Sequence, residues 1–312
     1  MKTVFMGTGE IGLPAFRWLL DSDLCEVIAV YTQPDRPVGR KQLLTPPEVK
    51  TVALERGIPV FQPGKLREES ATAELLALAP DLIVVMAYGQ ILTREVIDLP
   101  PVACINLHAS ILPRHRGASP IQGAIRDGDE ESGITVMHID IGLDSGDIVH
   151  VERCPITAQE TGGSLHDKLA EISPAALSKA VEMFAAGTAQ RRPQDESLVT
   201  HDRKLLREHG EIDWTRNATE IERLIRAYDP WPGTFTKVAG QKLKILPFCE
   251  AHPGSSSKPG EVVGIDADGL RVACGIEQLL IREVQLEGRK RMSVASFLAG
   301  NSDLVRIGTQ LG

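Results

Sequence analysis

The run Leu82-Ile83-Val84-Val85-Met86-Ala87 is apolar at every position. Successive side chains of a strand point to opposite faces, so a strand that is apolar throughout belongs where both faces of its sheet are covered. Residues 2–7, 25–31 and 102–108 read as further apolar strands, with a shorter one at 58–61. Between them lie stretches of helical spacing, at 11–20 (Ile11, Ala15, Trp18, Leu19), 48–56 and 70–78. A helix over 119–127, strands over 133–139 and 147–155, and a long amphipathic helix over 164–186 follow. Strands alternating with helices predict a mainly parallel sheet with helices on both faces.

The pattern changes after residue 188. Gln190 to Lys204 is polar and carries a proline, and a helix near 218–228 leads into short strand candidates at 234–239, 242–249, 260–265, 269–274 and 277–286. Five short strands separated by glycine turns predict a small barrel or sandwich. The expected fold class is therefore α/β: a Rossmann-like, mainly parallel sheet domain followed by a small C-terminal β-barrel (OB-like) domain. The expected boundaries are 1–188 for the first, 189–204 for a linker and 205–312 for the second. A chain of 312 residues accommodates two domains of roughly 100–200 residues each. Apolar residues at 42% and charged residues at 24% exclude a disordered or fibrous chain. No run approaches the about 20 apolar residues that span a bilayer, and the N-terminus does not read as a signal peptide. The five cysteines are scattered without CxxC spacing, which predicts reduced thiols in a cytoplasmic protein and no metal site. The expectation is a monomer.

Net charge is −8, all of it in residues 1–204, because residues 205–312 carry 14 basic and 14 acidic side chains. Two stretches run against this acidity. Residues 33–50 hold Arg36, Arg40, Lys41 and Lys50 against Asp35 and Glu48, and residues 109–126 hold Arg114, Arg116 and Arg126 with no acid. Basic loops on an acidic body suit one anionic group, or a polyanion gripped at a few points.

Two motifs compete for the chemistry. Gly7-Thr8-Gly9-Glu10-Ile11-Gly12 matches a dinucleotide-binding GxGxxG, but Tyr31-Thr32-Gln33 ends the second strand without the ribose-binding acid that reading requires. Such glycines also serve a plain tight turn. The second motif places Asn106 and His108 on one face of a strand, at its C-terminal end, where open α/β sheets hold ligands. The glycine-bearing loop Ile139 to Asp147 could turn Asp144 back towards His108. An amide, an imidazole and a carboxylate together can stabilise an oxyanion, move a proton and orient a ring. Spacing alone names no reaction.

The run Asn106-Leu107-His108-Ala109-Ser110-Ile111-Leu112-Pro113-Arg114-His115-Arg116-Gly117 closely resembles the signature of the folate-dependent formyltransferases, as does Gly133 to Asp147. Within them, the loop Gln33 to Arg40, the segment Tyr228-Asp229-Pro230-Trp231-Pro232-Gly233 and the C-terminal domain resemble the members that act on methionyl-tRNA. The resemblance covers essentially the whole chain. It implies formyl transfer from 10-formyltetrahydrofolate to the methionine amine of initiator Met-tRNA, without a metal. It assigns catalysis to Asn106, His108 and Asp144, folate contacts to Ser110, Ile111, Leu112 and Pro113, and tRNA contacts to Arg36, Arg40 and Lys41. Lys237, Lys242, Lys244 and Arg289-Lys290-Arg291 are further candidates for phosphate contact. Competing expectations are a formyltransferase of small amines, a non-catalytic tRNA binder and a nicotinamide dehydrogenase.

Overall fold

The computed structural model describes residues 1–39, 41–254 and 256–312. They form two compact units, one made of residues 1–117, 132–154 and 166–201, the other of 118–131, 155–165 and 202–312.

A seven-stranded sheet organises the first unit. Its strands are β1 (Lys2–Gly7), β2 (Glu26–Tyr31), β3 (Val60–Phe61), β4 (Leu82–Met86), β5 (Ala103–His108), β6 (Glu131–His138) and β7 (Ile148–Pro155), in the order β7-β6-β5-β4-β1-β2-β3. The pairs β1–β2, β1–β4, β2–β3 and β4–β5 are parallel. β6 runs antiparallel to β5, setting Asn106 opposite Met137 and His108 opposite Thr135. All five residues of β4 are buried, as a strand covered on both faces must be. Helices α1 (Leu13–Asp21), α2 (Glu48–Glu55), α3 (Glu69–Leu78) and the short α4 (Arg94–Ile97) supply the crossovers. Val4, Met6, Ile83, Val85 and Cys104 from the sheet pack with Leu66, Leu75 and Val96 in one core cluster. The chain order reverses between β1 and β4, the place where such sheets open a crevice at the carboxyl ends of their strands.

The loop that begins at Gln33 contains a hairpin that pairs Arg36–Val38 with Leu43–Thr45. Val38, Leu43 and Leu44 on it are exposed. Its base is fixed by Asp35, which accepts from Lys50 Nζ at 2.8 Å and from Gln62 Nε2 at 2.8 Å.

The second unit holds α5 (Pro120–Asp127) and α7 (Ala218–Ala227), while the long α6 (Gly162–Ala185) begins in it. Two four-stranded antiparallel sheets follow. They are built from β8 (Thr234–Val238), β9 (Gln241–Ile245), β10 (Glu250–His252), β11 (Val262–Asp266), β12 (Gly269–Ala273), β13 (Gln278–Ile281), β14 (Glu283–Leu286) and β15 (Met292–Ser293), with α8 (Val294–Asn301) at the end. The orders are β8-β9-β14-β15 and β10-β13-β12-β11. A single expected strand over 277–286 is thus two strands, broken at Arg282 and assigned to different sheets. Leu243, Ile245, Val272, Leu279, Ile281 and Val284 fill the core between their elements.

The glycines of the first motif serve packing. A Cβ on Gly7 would lie 2.6 Å from the Phe5 ring and 2.9 Å from Met86 O, and one on Gly12 would lie 3.3 Å from the same carbonyl. Gly7→Ala is expected to destabilise the protein by about 1–3 kcal/mol through overpacking. A urea midpoint equal to that of the wild type would contradict this use of the glycine.

Candidate active site

The site grows from the end of β5. Asn106 and His108 share one strand face while Leu107, 3% exposed, turns to the other. His108 is buried at 6% exposure, Asn106 is half-buried, and among the described residues the Asn106 carboxamide makes no hydrogen bond.

The loop after His108 is pinned to β6. Thr135 Oγ1 donates to Ser110 O at 2.6 Å and accepts from Leu112 N at 3.1 Å, and Ser110 Oγ donates to Arg114 O at 2.8 Å. His115 then takes a left-handed conformation at φ +61°, which costs about 1–3 kcal/mol in a non-glycine residue and must be held by its surroundings. The holding contact is its N–H, donated to Thr200 Oγ1 at 2.8 Å. The turn aims His115 O at His108 Nε2, 2.9 Å away. A carbonyl only accepts, so Nε2 carries the hydrogen.

Asp144 reaches the ring from the opposite side. Its Oδ1 lies 3.7 Å from His108 Nδ1, and its Oδ2 accepts the Gly117 N–H at 2.8 Å. Asp144 is also left-handed, at φ +49°. Gly146 permits the close return of its loop, because a Cβ there would lie 1.8 Å from His138 O. The Asp144 side chain is 16% exposed against 6% for His108, so it is the more accessible member of the pair.

The expected residues divide as follows. His108 and Asp144 meet, and Asn106 shares the face of His108. Ser110 and Leu112 are buried and serve the loop itself, Leu112 packing with Met137 and Ile148, while Ile111 and Pro113 are half-buried. Arg36 and Lys41 are exposed on the hairpin, Arg36 Nη2 donating to Gln33 Oε1 at 2.9 Å, and Arg40 lies outside the described residues. In the second unit Lys237 is paired with Glu211 at 2.6 Å and Arg291 with Glu283, while Lys242 sits 3.3 Å over the Phe235 ring. Hydrogen bonds from Gln62 and Lys50 hold the Asp35 carboxyl below the usual range. Among the described residues no group of three or more His, Cys, Asp or Glu could hold a metal ion, and no helix is long and apolar enough to cross a membrane.

Sequence reasoning missed the polar residues around this centre. Thr200 and Gln194 make hydrogen bonds to its loops from a polar segment that no local spacing marks, and Thr135 and Arg116, though inside the resembling runs, carry no expected role. It also missed a cavity of about 410 Å³ beside the Asp144 loop, lined among others by Arg94, Cys104, His138, Asp140, Gly146 and Arg191.

Residues 1–181 match the family model described as formyl transferase, and residues 204–302 match the model of the formyl transferase C-terminal domain. The chain belongs to the formyl transferase family. Its full-length similarity is to proteins named methionyl-tRNA formyltransferase. That of Akkermansia muciniphila is 53% identical, covering 97% of this chain and 98% of its own, and that of Pseudomonas fluorescens Pf-5 is 48% identical, covering 100% and 97%. Among solved structures, HypX from Aquifex aeolicus in complex with tetrahydrofolic acid aligns with a TM-score of 0.59 at 19% identity, covering 96% of this chain and 47% of that one. The chain spans about half the length of HypX, and this similarity shows the fold.

His138 in the cavity wall has its pKa pushed down to about 4, by burial first and then by the Arg191 guanidinium, with Asp147 opposing. Arg191 Nη2 lies 3.4 Å from His138 Nδ1, and the Phe184 ring stands edge-on at 5.8 Å. The folded state prefers the neutral ring, so its stabilisation is complete above pH 6.5 and is lost as pH falls towards 4. Unfolding titrations are expected to show His138→Gln losing roughly 1–2 kcal/mol less than wild type between pH 6.5 and 4. Equal losses in the two proteins would contradict this.

Proposed function

We propose that the chain transfers the formyl group of 10-formyltetrahydrofolate to the α-amino group of methionine on initiator tRNA, in the cytoplasm. The observation that carries the reading is the meeting of His108 and Asp144 at 3.7 Å beside an Asn106 carboxamide that makes no hydrogen bond among the described residues. Full-length identity to methionyl-tRNA formyltransferases and the tetrahydrofolic acid of the HypX complex support the two substrates. Asn106, His108 and Asp144 all come from one unit of one chain, so a monomer suffices. The extents of the two family models support residues 1–188 as the catalytic domain, joined through 189–204 to a tRNA-gripping domain over 205–312.

The methionine nitrogen attacks the formyl carbon, and charge gathers on the formyl oxygen. The free N–H groups of Asn106 donate to that oxygen. The His108 ring, with Nε2 held by His115 O, presents a fixed face, and its Nε2–H donates to the oxyanion by exchanging that carbonyl. A new C–N bond forms, the bond from the formyl carbon to N10 of the folate breaks, the amine gives up one proton and N10 gains one. Asp144 is the accessible acceptor for the amine proton. A free α-amino group titrates near about 7.7–8.0, and the neighbouring ester lowers that further, so much of the nucleophile is already neutral at pH 7. Orientation and oxyanion stabilisation therefore dominate the barrier.

Folate contacts are assigned to the segment Ser110, Ile111, Leu112 and Pro113 after His108, with the half-buried Ile111 and Pro113 offering side chains and the buried Ser110 and Leu112 holding the loop in place. tRNA contacts are assigned to Arg36, Arg40 and Lys41, supported for Arg36 and Lys41 by their exposure. That hairpin favours an acylated tRNA over a small amine.

Asn106→Ala and Asp144→Ala are each expected to lower kcat by about 10²–10³ with folate affinity retained. Charge reversal at Arg36 and Lys41 is expected to raise KM for Met-tRNA alone. Formylation assays with near-wild-type turnover in Asn106→Ala or Asp144→Ala would overturn the assignment.

A further inference from the structure

We propose that Gln194, oriented by Arg116, is a positioning residue for formyl transfer, and that it sets the Asp144 carboxylate against His108. This rests on the reading of Asp144 as a reacting group. Gln194 Nε2 donates to two carbonyls of the Asp144 loop, Asp144 O and Gly146 O, each at 2.8 Å, and it also lies 4.0 Å from Met137 Sδ. Gln194 Oε1 accepts from Arg116 Nε at 3.0 Å and from Arg116 Nη2 at 2.8 Å.

Chemistry fixes which way this amide faces. Arginine only donates, so the oxygen must lie towards Arg116; carbonyls only accept, so the nitrogen must lie towards the Asp144 loop. Arg116 is itself buried and held from its far side by Glu196, at 2.7 Å from Nη2. Glu196, Arg116 and Gln194 thus form a directed chain that ends on the backbone of the left-handed Asp144. Arg116 adds a second tie, since the residue after it, Gly117, donates its N–H to Asp144 Oδ2 at 2.8 Å. Thr200, on the same strap as Gln194, holds both His115 N and Arg116 N, at 2.8 and 2.9 Å. One polar strap therefore ties down both loops that close on His108. All of these residues lie in the first unit.

Gln194→Glu isolates the claim. It keeps an acceptor for Arg116 and loses both donations to the Asp144 loop, while Gln194→Ala loses everything. Both are expected to lower kcat roughly 10- to 100-fold, since small displacements of a reacting group cost that much. KM for 10-formyltetrahydrofolate and for Met-tRNA is expected to stay within about twofold, with the thermal midpoint of Gln194→Glu near wild type. In an Asp144→Ala background Gln194→Ala is expected to cost nothing further, as required of a residue that acts through Asp144. A Gln194→Glu kcat within twofold of wild type, or equal losses with and without Asp144, would overturn the proposal. If Asp144→Ala alone keeps its turnover, the reading of the site fails; if Asp144→Ala is inactive while Gln194→Glu is active, only the role of Gln194 fails.

Discussion

Everything at the candidate site depends on the confinement of one imidazole between a carbonyl and a carboxylate. His108 stands at the end of β5 with Nε2 on His115 O at 2.9 Å and Nδ1 facing Asp144 at 3.7 Å. Neither partner reaches it from a regular element. Both belong to loops whose key residue is left-handed without being glycine, and such residues persist only when their surroundings hold them. The antiparallel strand β6 supplies that hold for the first loop through Thr135. The polar strap carrying Gln194 and Thr200 supplies much of the rest. The rigid sheet sets where the ring is, and hydrogen-bonded loops set what it faces.

This division suits the reaction. Transfer between an amine and a formyl amide needs little help from a strong base, because the amine is substantially neutral near pH 7. It needs a donor where the oxyanion forms and a fixed geometry around it. Among the described residues the Asn106 carboxamide makes no hydrogen bond, two residues before a confined histidine on the same strand face, and in the proposed reaction it is the donor that meets both needs. Asn106, His108 and Asp144 all lie in the first unit, and the proposed reading gives the second unit and the exposed hairpin to recognition.

The frame of the fold is legible in the sequence because burial writes it there. Leu82 to Met86 is apolar at every position and forms the fully buried strand β4, and the expected helix over 164–186 is observed over Gly162–Ala185. Asn106 and His108 could be placed on one strand face because alternation along β5 is a local property. What escaped is non-local. The hairpin after β2 pairs Arg36–Val38 with Leu43–Thr45, residues that lack strand-like alternation. The break at Arg282 sends β13 and β14 to different sheets although both are apolar. Gln194 acts on Asp144 from 50 positions away, and its polar neighbourhood reads as solvated when it is in fact spent on hydrogen bonds. The left-handed turns at His115 and Asp144 have no glycine to announce them.

The most direct measurement follows the carbon itself. Incubation of the protein with 10-formyltetrahydrofolate labelled with ¹³C in the formyl group and with Met-tRNA should move the label into an amide on the methionine nitrogen, with one tetrahydrofolate released for each amine blocked. Label that remains on the folate, or that leaves as free formate while the methionine amine stays open, would contradict the account.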